Sequence, residues 1–424
     1  MYIKEVNTGV YAWDLADIGV DKVVAECREH LGINSLYMVS LMHYEKRPFT
    51  KLEYYPHNPV RKEYLPEDAC CYWKPDPEAY KDSRIKPRRT ERDFLRNTDW
   101  VDELTKAARK QGVGVGMAIS HTPLDYERAS ELYPDVTQRD VYGNRLPGRW
   151  GQVLCHYNED ARVYARSIAY DLAKNHDIDY FMPSFYLYNP GRTDVHPLFG
   201  IALGTCFCPS CEKAAKEEGL PWDEMKAEVR TIADWVNSEV IHASNLENAQ
   251  HFIKVKASAA SDAKLLVENP LFYEWLRFRN RGVAGMFKAM RDGVKAGNPN
   301  CGFRFNQGMR AGETSGLDLK LFSEFCDSFR VTEYSEQTGD MARLKLVKPA
   351  VLMNVRREVG NDLPVIAAVA IRPKGTPEMI KEGIKISARC AMDGLSFAFY
   401  DCASYELMKA ARDGMAEAEV KLIG

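Results

Sequence analysis

The sequence predicts an α/β protein closed into a (β/α)8 barrel. Strand-like and helix-like segments alternate from one end of the chain to the other, and the strand-like runs are continuously apolar. Continuous rather than alternating apolarity marks strands covered on both faces, as a parallel sheet requires. Strand-then-helix repeated eight times is the barrel pattern. The structural alternative, a doubly wound open sheet, is weakened by a third observation. No Gly-x-Gly-x-x-Gly follows any strand, and Gly112–Gly116 falls within a strand rather than after one.

The elements follow in order. Val10-Tyr-Ala-Trp13 is a short β-type run, and Asp21–His30 is helical with Val23, Val24 and Cys27 at helical spacing. Leu36–Leu41 is the second strand. Trp100–Lys110 is a helix capped by Thr98 or Asp99, and Val113–Ile119 is the third strand. The helix Asp160–Lys174 leads into strand four, Ile178–Phe185. Phe272–Lys295 is a long amphipathic helix with Trp275, Phe278, Met286, Met290 and Val294 near one face. Phe303–Asn306, Phe329–Glu333, Val365–Ile371 and Leu395–Tyr400 complete the strands, and Pro377–Ala391 and Ser404–Leu422 are the last helices.

Two insertions break this rhythm. The first, 45–97, follows strand two, where Tyr44–Asn97 carries seven prolines; the second, 187–270, follows strand four. Long irregular stretches in a compact domain are usually functional or small subdomains. In a barrel both leave from the C-terminal ends of strands, the face where active sites are built. Residues 1–424 are therefore expected to form one barrel.

With 45% apolar and 28% charged residues and a net charge of −3, the composition is that of an ordinary globular protein. It has no basic excess for a nucleic-acid footprint. The longest apolar runs, such as Val365–Ile371, are far short of the roughly 20 residues that cross a bilayer. The start, Met1-Tyr-Ile-Lys-Glu, lacks a basic segment followed by an apolar one, so a cytoplasmic location is expected.

Eleven cysteines in a reducing compartment point to burial or metal ligation rather than disulfides. Cys27, Cys301, Cys326, Cys390 and Cys402 sit singly among apolar residues and read as core. Cys206-Phe-Cys208-Pro-Ser-Cys211 is different, because three soft donors within six residues can wrap one Zn2+. Cys155 is the preferred fourth ligand, with Cys70, Cys71, His156 and His196 left open. Four sulfurs fill the coordination shell, so this metal is expected to hold a loop rather than perform catalysis.

This cysteine loop after strand four is similar to that of the beta-galactosidases of glycoside hydrolase family 42. The wider chain resembles bacterial glycoside-hydrolase-like barrel proteins through His57-Asn-Pro, Ile85-Lys-Pro, Leu154-Cys-His-Tyr-Asn-Glu-Asp-Ala-Arg162 and Asp393-Gly-Leu-Ser-Phe397. The resemblance implies a sugar-binding barrel. In the families it resembles, the strand before the cysteine loop usually ends in a Glu acting as general acid. Here that strand reads Asp179-Tyr-Phe-Met-Pro-Ser-Phe-Tyr186 and has no carboxylate at its end.

Other strand ends offer carboxylates: Glu333 first, then Asp401, with Asp14 as a helix cap or substrate contact. Glycoside cleavage needs one group to protonate the leaving oxygen and another to act as nucleophile or base. His43 and His121, expected after strands two and three, suit proton transfer because their reference pKa is near neutral. Trp13, Trp150, Tyr186 and Tyr334 are expected to stack on sugar C–H faces, and Arg304, Asn306 and Arg372 to meet hydroxyls or a uronate carboxylate. The expected partner is a small carbohydrate or glycoside, neither nucleic acid nor membrane, and a homo-oligomer is compatible with it. Alternative readings are a sugar lyase, isomerase or epimerase using the histidines with a second divalent metal, a non-catalytic carbohydrate-binding barrel, and an interaction scaffold.

Overall fold

Eight parallel strands close into a ring: β1 Glu5–Val10, β2 Ser35–Leu41, β3 Gly114–Ile119, β4 Tyr180–Pro183, β5 Gly302–Gln307, β6 Ser328–Val331, β7 Val365–Ala370 and β8 Gly394–Ala398. Each pairs with the next. The ring shuts where Gly394, Leu395, Ser396 and Phe397 of β8 register with Glu5, Val6, Asn7 and Thr8 of β1. The computed structural model describes residues 2–42, 69–120, 124, 126–145, 153–184, 206–242, 266–307 and 316–423.

The helices cover the ring with the apolar stripes anticipated for them. Pro270–Gly297 buries Trp275, Phe278, Met286, Met290 and Val294 and packs chiefly on Glu159–Asn175. Their backbones approach closely enough that a Cβ on Gly297 would lie 2.7 Å from the Tyr170 carbonyl oxygen. Asn158 caps Glu159–Asn175 by accepting from Ala161 N, and Asp99 caps Trp100–Lys110 by accepting from Asp102 N. Cys27, Cys301, Cys326 and Cys402 are core residues as expected, and Cys390 is half-buried.

Three elements differ from the sequence expectation. The first strand is Glu5–Val10, not Val10–Trp13, and Ala12–Ile18 is already a helix. Glu5, Asn7 and Gly9 alternate with Val6, Thr8 and Val10, so β1 lacks the continuous apolarity used to find strands. The long helix Met341–Val359 follows β6 in a stretch that the apolar pattern left unassigned. It carries Pro349 in its interior, exposes Leu346 and Met353, and buries Lys348, which blurs its amphipathic stripe. The last helix ends at Glu417, and Lys421–Leu422 instead pairs in parallel with Tyr2–Ile3.

Part of the first insertion lies among the described residues. Cys70–Cys71 adds to the end of β2 through Leu41↔Cys71, and Arg88–Arg89 pairs with it. The buried carboxylate of Asp171 anchors this segment to the helix layer. It accepts from Trp73 Nε1 at 2.8 Å and from the Tyr80 hydroxyl at 3.0 Å. No helix among the described residues is long and apolar enough to cross a membrane.

Candidate active site

Inward-facing side chains fill the barrel in polar layers. At the floor, Arg304 on β5 forms a bidentate pair with Glu5 on β1 at 2.8 and 2.6 Å, donates to Ser328 Oγ, and lies 3.8 Å from the centre of the Tyr180 ring. Burial pushes the Glu5 carboxyl up, but the Arg304 guanidinium outweighs it and holds the acid below its usual range. Gly116 on β3 leaves room for Tyr180, whose ring a Cβ would strike.

One layer up, Arg330 on β6 is 2% exposed. Its Nε donates to Ser396 Oγ at 2.7 Å, Nη1 to Asn306 Oδ1 and Thr332 Oγ1 at 2.9 Å each, and Nη2 to the Tyr334 hydroxyl at 3.1 Å. Its guanidinium also sits over the Tyr37 ring at 5.3 Å. Asn306 is committed at both ends, since its Nδ2 donates to Ser184 Oγ. Ser184 directly follows β4, and the side chain at that position is a hydroxyl rather than a carboxylate.

The mouth lies at the C-terminal ends of the strands, as barrel architecture dictates. Tyr11 stacks on Trp13 at 4.4 Å and on Phe399 at 5.1 Å, forming an aromatic wall in which Tyr11 and Trp13 are buried and Phe399 is half-buried. Gly9 makes room for it, because a Cβ there would run into the rings of Phe399 and Tyr37. Arg372, just beyond β7, lies over the rings of Tyr334 at 5.0 Å and Phe399 at 5.7 Å. Asp401, in the short 3-10 turn Tyr400–Cys402 after β8, is 1% exposed and accepts from Cys402 Sγ at 3.1 Å. Burial raises its pKa to about 6 against the opposing pull of Cys402 and Arg372.

The expected site residues thus separate. Trp13, Tyr334, Arg372 and Asp401 come together at the mouth. Asp14 does not end a strand: it lies in the first turn of Ala12–Ile18 and closes a capping box by accepting from Tyr11 N at 2.8 Å. Arg304 is at the floor, neutralised by Glu5, and Asn306 braces Arg330 in the layer between. His43, His121, Trp150 and Tyr186 lie outside the described residues.

Glu333 requires a correction. Arg330 and Thr332 face the lumen, so Phe329, Val331 and Glu333 point the other way, toward the helices. Glu333 is 0% exposed and accepts from Ser335 N at 3.2 Å and Ser335 Oγ at 2.5 Å. Its carboxylate is 3.8 Å from Lys348 Nζ, which is itself 2.7 Å from Glu336 and donates to the Glu333 and Ala368 carbonyls. This cluster ties β6 and β7 to the Met341–Val359 helix and faces away from the mouth.

Away from the lumen, Cys155, Cys206, Cys208 and Cys211 form a buried group whose sulfurs all lie within 4.8 Å of one another. Cys155 Sγ is 3.3 Å from Cys208 Sγ and 3.5 Å from Cys211 Sγ. A tetrahedral site with Zn–S bonds of about 2.3 Å has sulfur–sulfur edges of about 3.8 Å, so the donor set fits a zinc-sized ion with small adjustments. Cys208 occupies the position just before the helix Pro209–Glu217, and Phe207 stacks on Trp275 at 5.1 Å, fastening the loop to Pro270–Gly297. Among the other ligands left open, His156 faces Gln138 instead, 3.4 Å away, the Cys70–Cys71 pair lies antiparallel beside Leu41 of β2, and His196 lies outside the described residues.

Several residues of the lumen and mouth were missed in the sequence: Glu5, Tyr11, Tyr37, Arg330, Ser396 and Phe399. A usable signal existed in the polar residues at every second position of otherwise apolar strands, such as Glu5-x-Asn7 and Arg304-x-Asn306.

No family model matches the chain, and no curated protein matches it. Solved structures share the fold. The beta-galactosidase of the Antarctic haloarchaeon Halorubrum lacusprofundi is similar at a TM-score of 0.55 and 12% identity, over 98% of this chain and 58% of that one. The cold-adapted beta-galactosidase of Rahnella sp. R3 gives 0.58 and 13%, over 98% and 57%. That of Bacillus circulans sp. alkalophilus gives 0.54 and 15%, over 97% and 56%. This chain therefore spans less than two thirds of each neighbour's length, and at such identities the likeness is one of fold.

Proposed function

We propose that this chain is a glycoside hydrolase-like enzyme that cleaves a glycosidic bond in a small carbohydrate or glycoside at the barrel mouth. The observation that supports this most is the meeting of the Tyr11–Trp13–Phe399 wall with a buried acid, Asp401, whose pKa is pushed up to about 6. An aromatic wall suits the C–H face of a sugar ring. A carboxyl that keeps its proton toward neutral pH suits protonation of a leaving oxygen. Asp401 gives its proton to the glycosidic oxygen, water adds to the anomeric carbon, and a base takes the proton that water loses. His43 and His121 are the proposed bases. The likeness in fold to the beta-galactosidases supports a carbohydrate as the substrate class.

The four-cysteine cluster is read as a structural zinc site. Cys155, Cys206, Cys208 and Cys211 would fill the tetrahedral shell and leave no open position for substrate.

A screen of aryl and disaccharide glycosides tests the proposal. Asp401→Asn should cut turnover of any active substrate by about 10²- to 10⁴-fold with the protein still folded. Wild-type kcat/KM should fall as the pH rises through about 6, because the acid form does the work. Unchanged turnover in Asp401→Asn would end the assignment. Ser184, rather than a carboxylate, directly follows β4 and bonds Asn306, which favours one second reading, a carbohydrate-binding barrel without catalysis. Binding of a glycan that is never turned over would select it.

A further inference from the structure

We infer that the barrel mouth takes a carbohydrate bearing a negatively charged group, recognised by Arg372 directly and by Arg330 through the hydroxyl of Tyr334. This rests on the reading of the mouth as a carbohydrate site and names the class of sugar it takes.

Among the described residues, the lumen holds two buried arginines in unlike settings. Arg304 is neutralised by Glu5 in a bidentate pair. Arg330, one layer nearer the mouth, has only neutral oxygens for hydrogen-bond partners among the described residues: Ser396, Asn306, Thr332 and Tyr334. A guanidinium does not deprotonate in a protein, so this position carries a fixed positive charge. Burying such a charge without a counter-ion is expensive. A ligand that supplies the missing charge recovers that cost on binding.

Tyr334 carries the charge outward. Its hydroxyl oxygen accepts from Arg330 Nη2, which leaves its own hydrogen to be donated to an acceptor in the mouth. Its ring supports Arg372, half-buried at the opening. One guanidinium therefore bonds the hydroxyl of this tyrosine and the other lies over its ring. The described carboxylates on this face are Asp14, committed to Tyr11 N, and Asp401 beside Cys402. Setting Asp401 against Arg372 still leaves the charge of Arg330 uncompensated among the described residues. Arginine forks suit planar or tetrahedral oxyanions, so a uronate carboxylate and a sugar phosphate share the chemistry required.

The test is calorimetric titration of the full chain with D-galactose, D-galacturonate and D-galactose 6-phosphate, in low and moderate salt. At least one anionic sugar should bind about tenfold or more tighter than galactose, with the preference shrinking in salt. Preference for galacturonate would identify the carboxylate, and preference for the 6-phosphate the phosphate. Arg372→Gln should bring the ratio of anionic to neutral affinity close to one. Arg330→Met should do the same, and if it does not fold, Arg372→Gln carries the test. Equal binding of all three sugars, no binding of any, or a preference that survives Arg372→Gln would overturn the inference. An anionic sugar that binds as described while no glycoside is turned over removes the hydrolytic reading and keeps this one. Turnover of neutral glycosides without anion preference does the reverse.

Discussion

Asp401 shows how a single side chain can link stability to proposed chemistry. Its folded pKa of about 6 lies above the ordinary 3.8, so the folded state binds this proton more tightly than the unfolded chain. The corresponding stability is present in full below about pH 4 and is lost as the pH rises through 6. Asparagine cannot ionise, so Asp401→Asn should gain about 3 kcal/mol over the wild type between pH 4 and pH 8, read from urea denaturation at each pH. Glu5 and Arg304 illustrate the opposite case, a buried pair in which each charge needs the other. Glu5→Gln should cost about 3–5 kcal/mol, because it strands a buried guanidinium. Lys348, between Glu333 and Glu336, should behave alike: Lys348→Met leaves two carboxylates facing each other in the helix layer, and the same assay should show a loss of similar size.

At the scale of elements, the strands divide by what their inner faces must hold. β7 and β2 are apolar or nearly so and stand out in the sequence. β1 carries Glu5 and Asn7 inward, and its polar alternation hid it, displacing the expected strand by about one turn of chain. Gly9 and Gly116 are the other side of this packing, each leaving space for an aromatic ring from a neighbouring strand. Gly116→Ala should lower stability by about 1–3 kcal/mol through overpacking against Tyr180, measurable as a drop in Tm. Glu333 was misassigned for a related reason. Position after a strand was readable, but the side chain's direction depends on a parity set by the neighbouring Arg330 and Thr332. The cysteine loop was the clearest element in the sequence, because ligand spacing is a local property.

For the molecule as a whole, ring closure is what brings residues from opposite ends of the chain into one lumen. Glu5 meets Arg304 and Tyr11 meets Phe399, contacts that span most of the polypeptide. The cysteine cluster ties three separated pieces in the same manner: the turn at Cys155, the loop at 206–211 and, through Phe207, the helix Pro270–Gly297. If zinc occupies it, elemental analysis should return about one zinc per chain. Chelation or Cys211→Ser should then lower Tm by several degrees while far-UV circular dichroism at room temperature stays close to native, since the barrel hydrogen bonds do not pass through the cluster.

By itself the sequence determined the fold class, most helices and the cysteine site, because apolar periodicity and ligand spacing are set by near neighbours along the chain. Only the tertiary structure decided which strand-end residues share a mouth. It moved Glu333 into the helix layer and Arg304 to the floor, and brought forward Tyr11, Arg330 and Phe399. Inward or outward direction reverses at every residue of a strand, so a shift of one position in register exchanges lumen for helix layer, and that register is settled only when the eighth strand closes on the first.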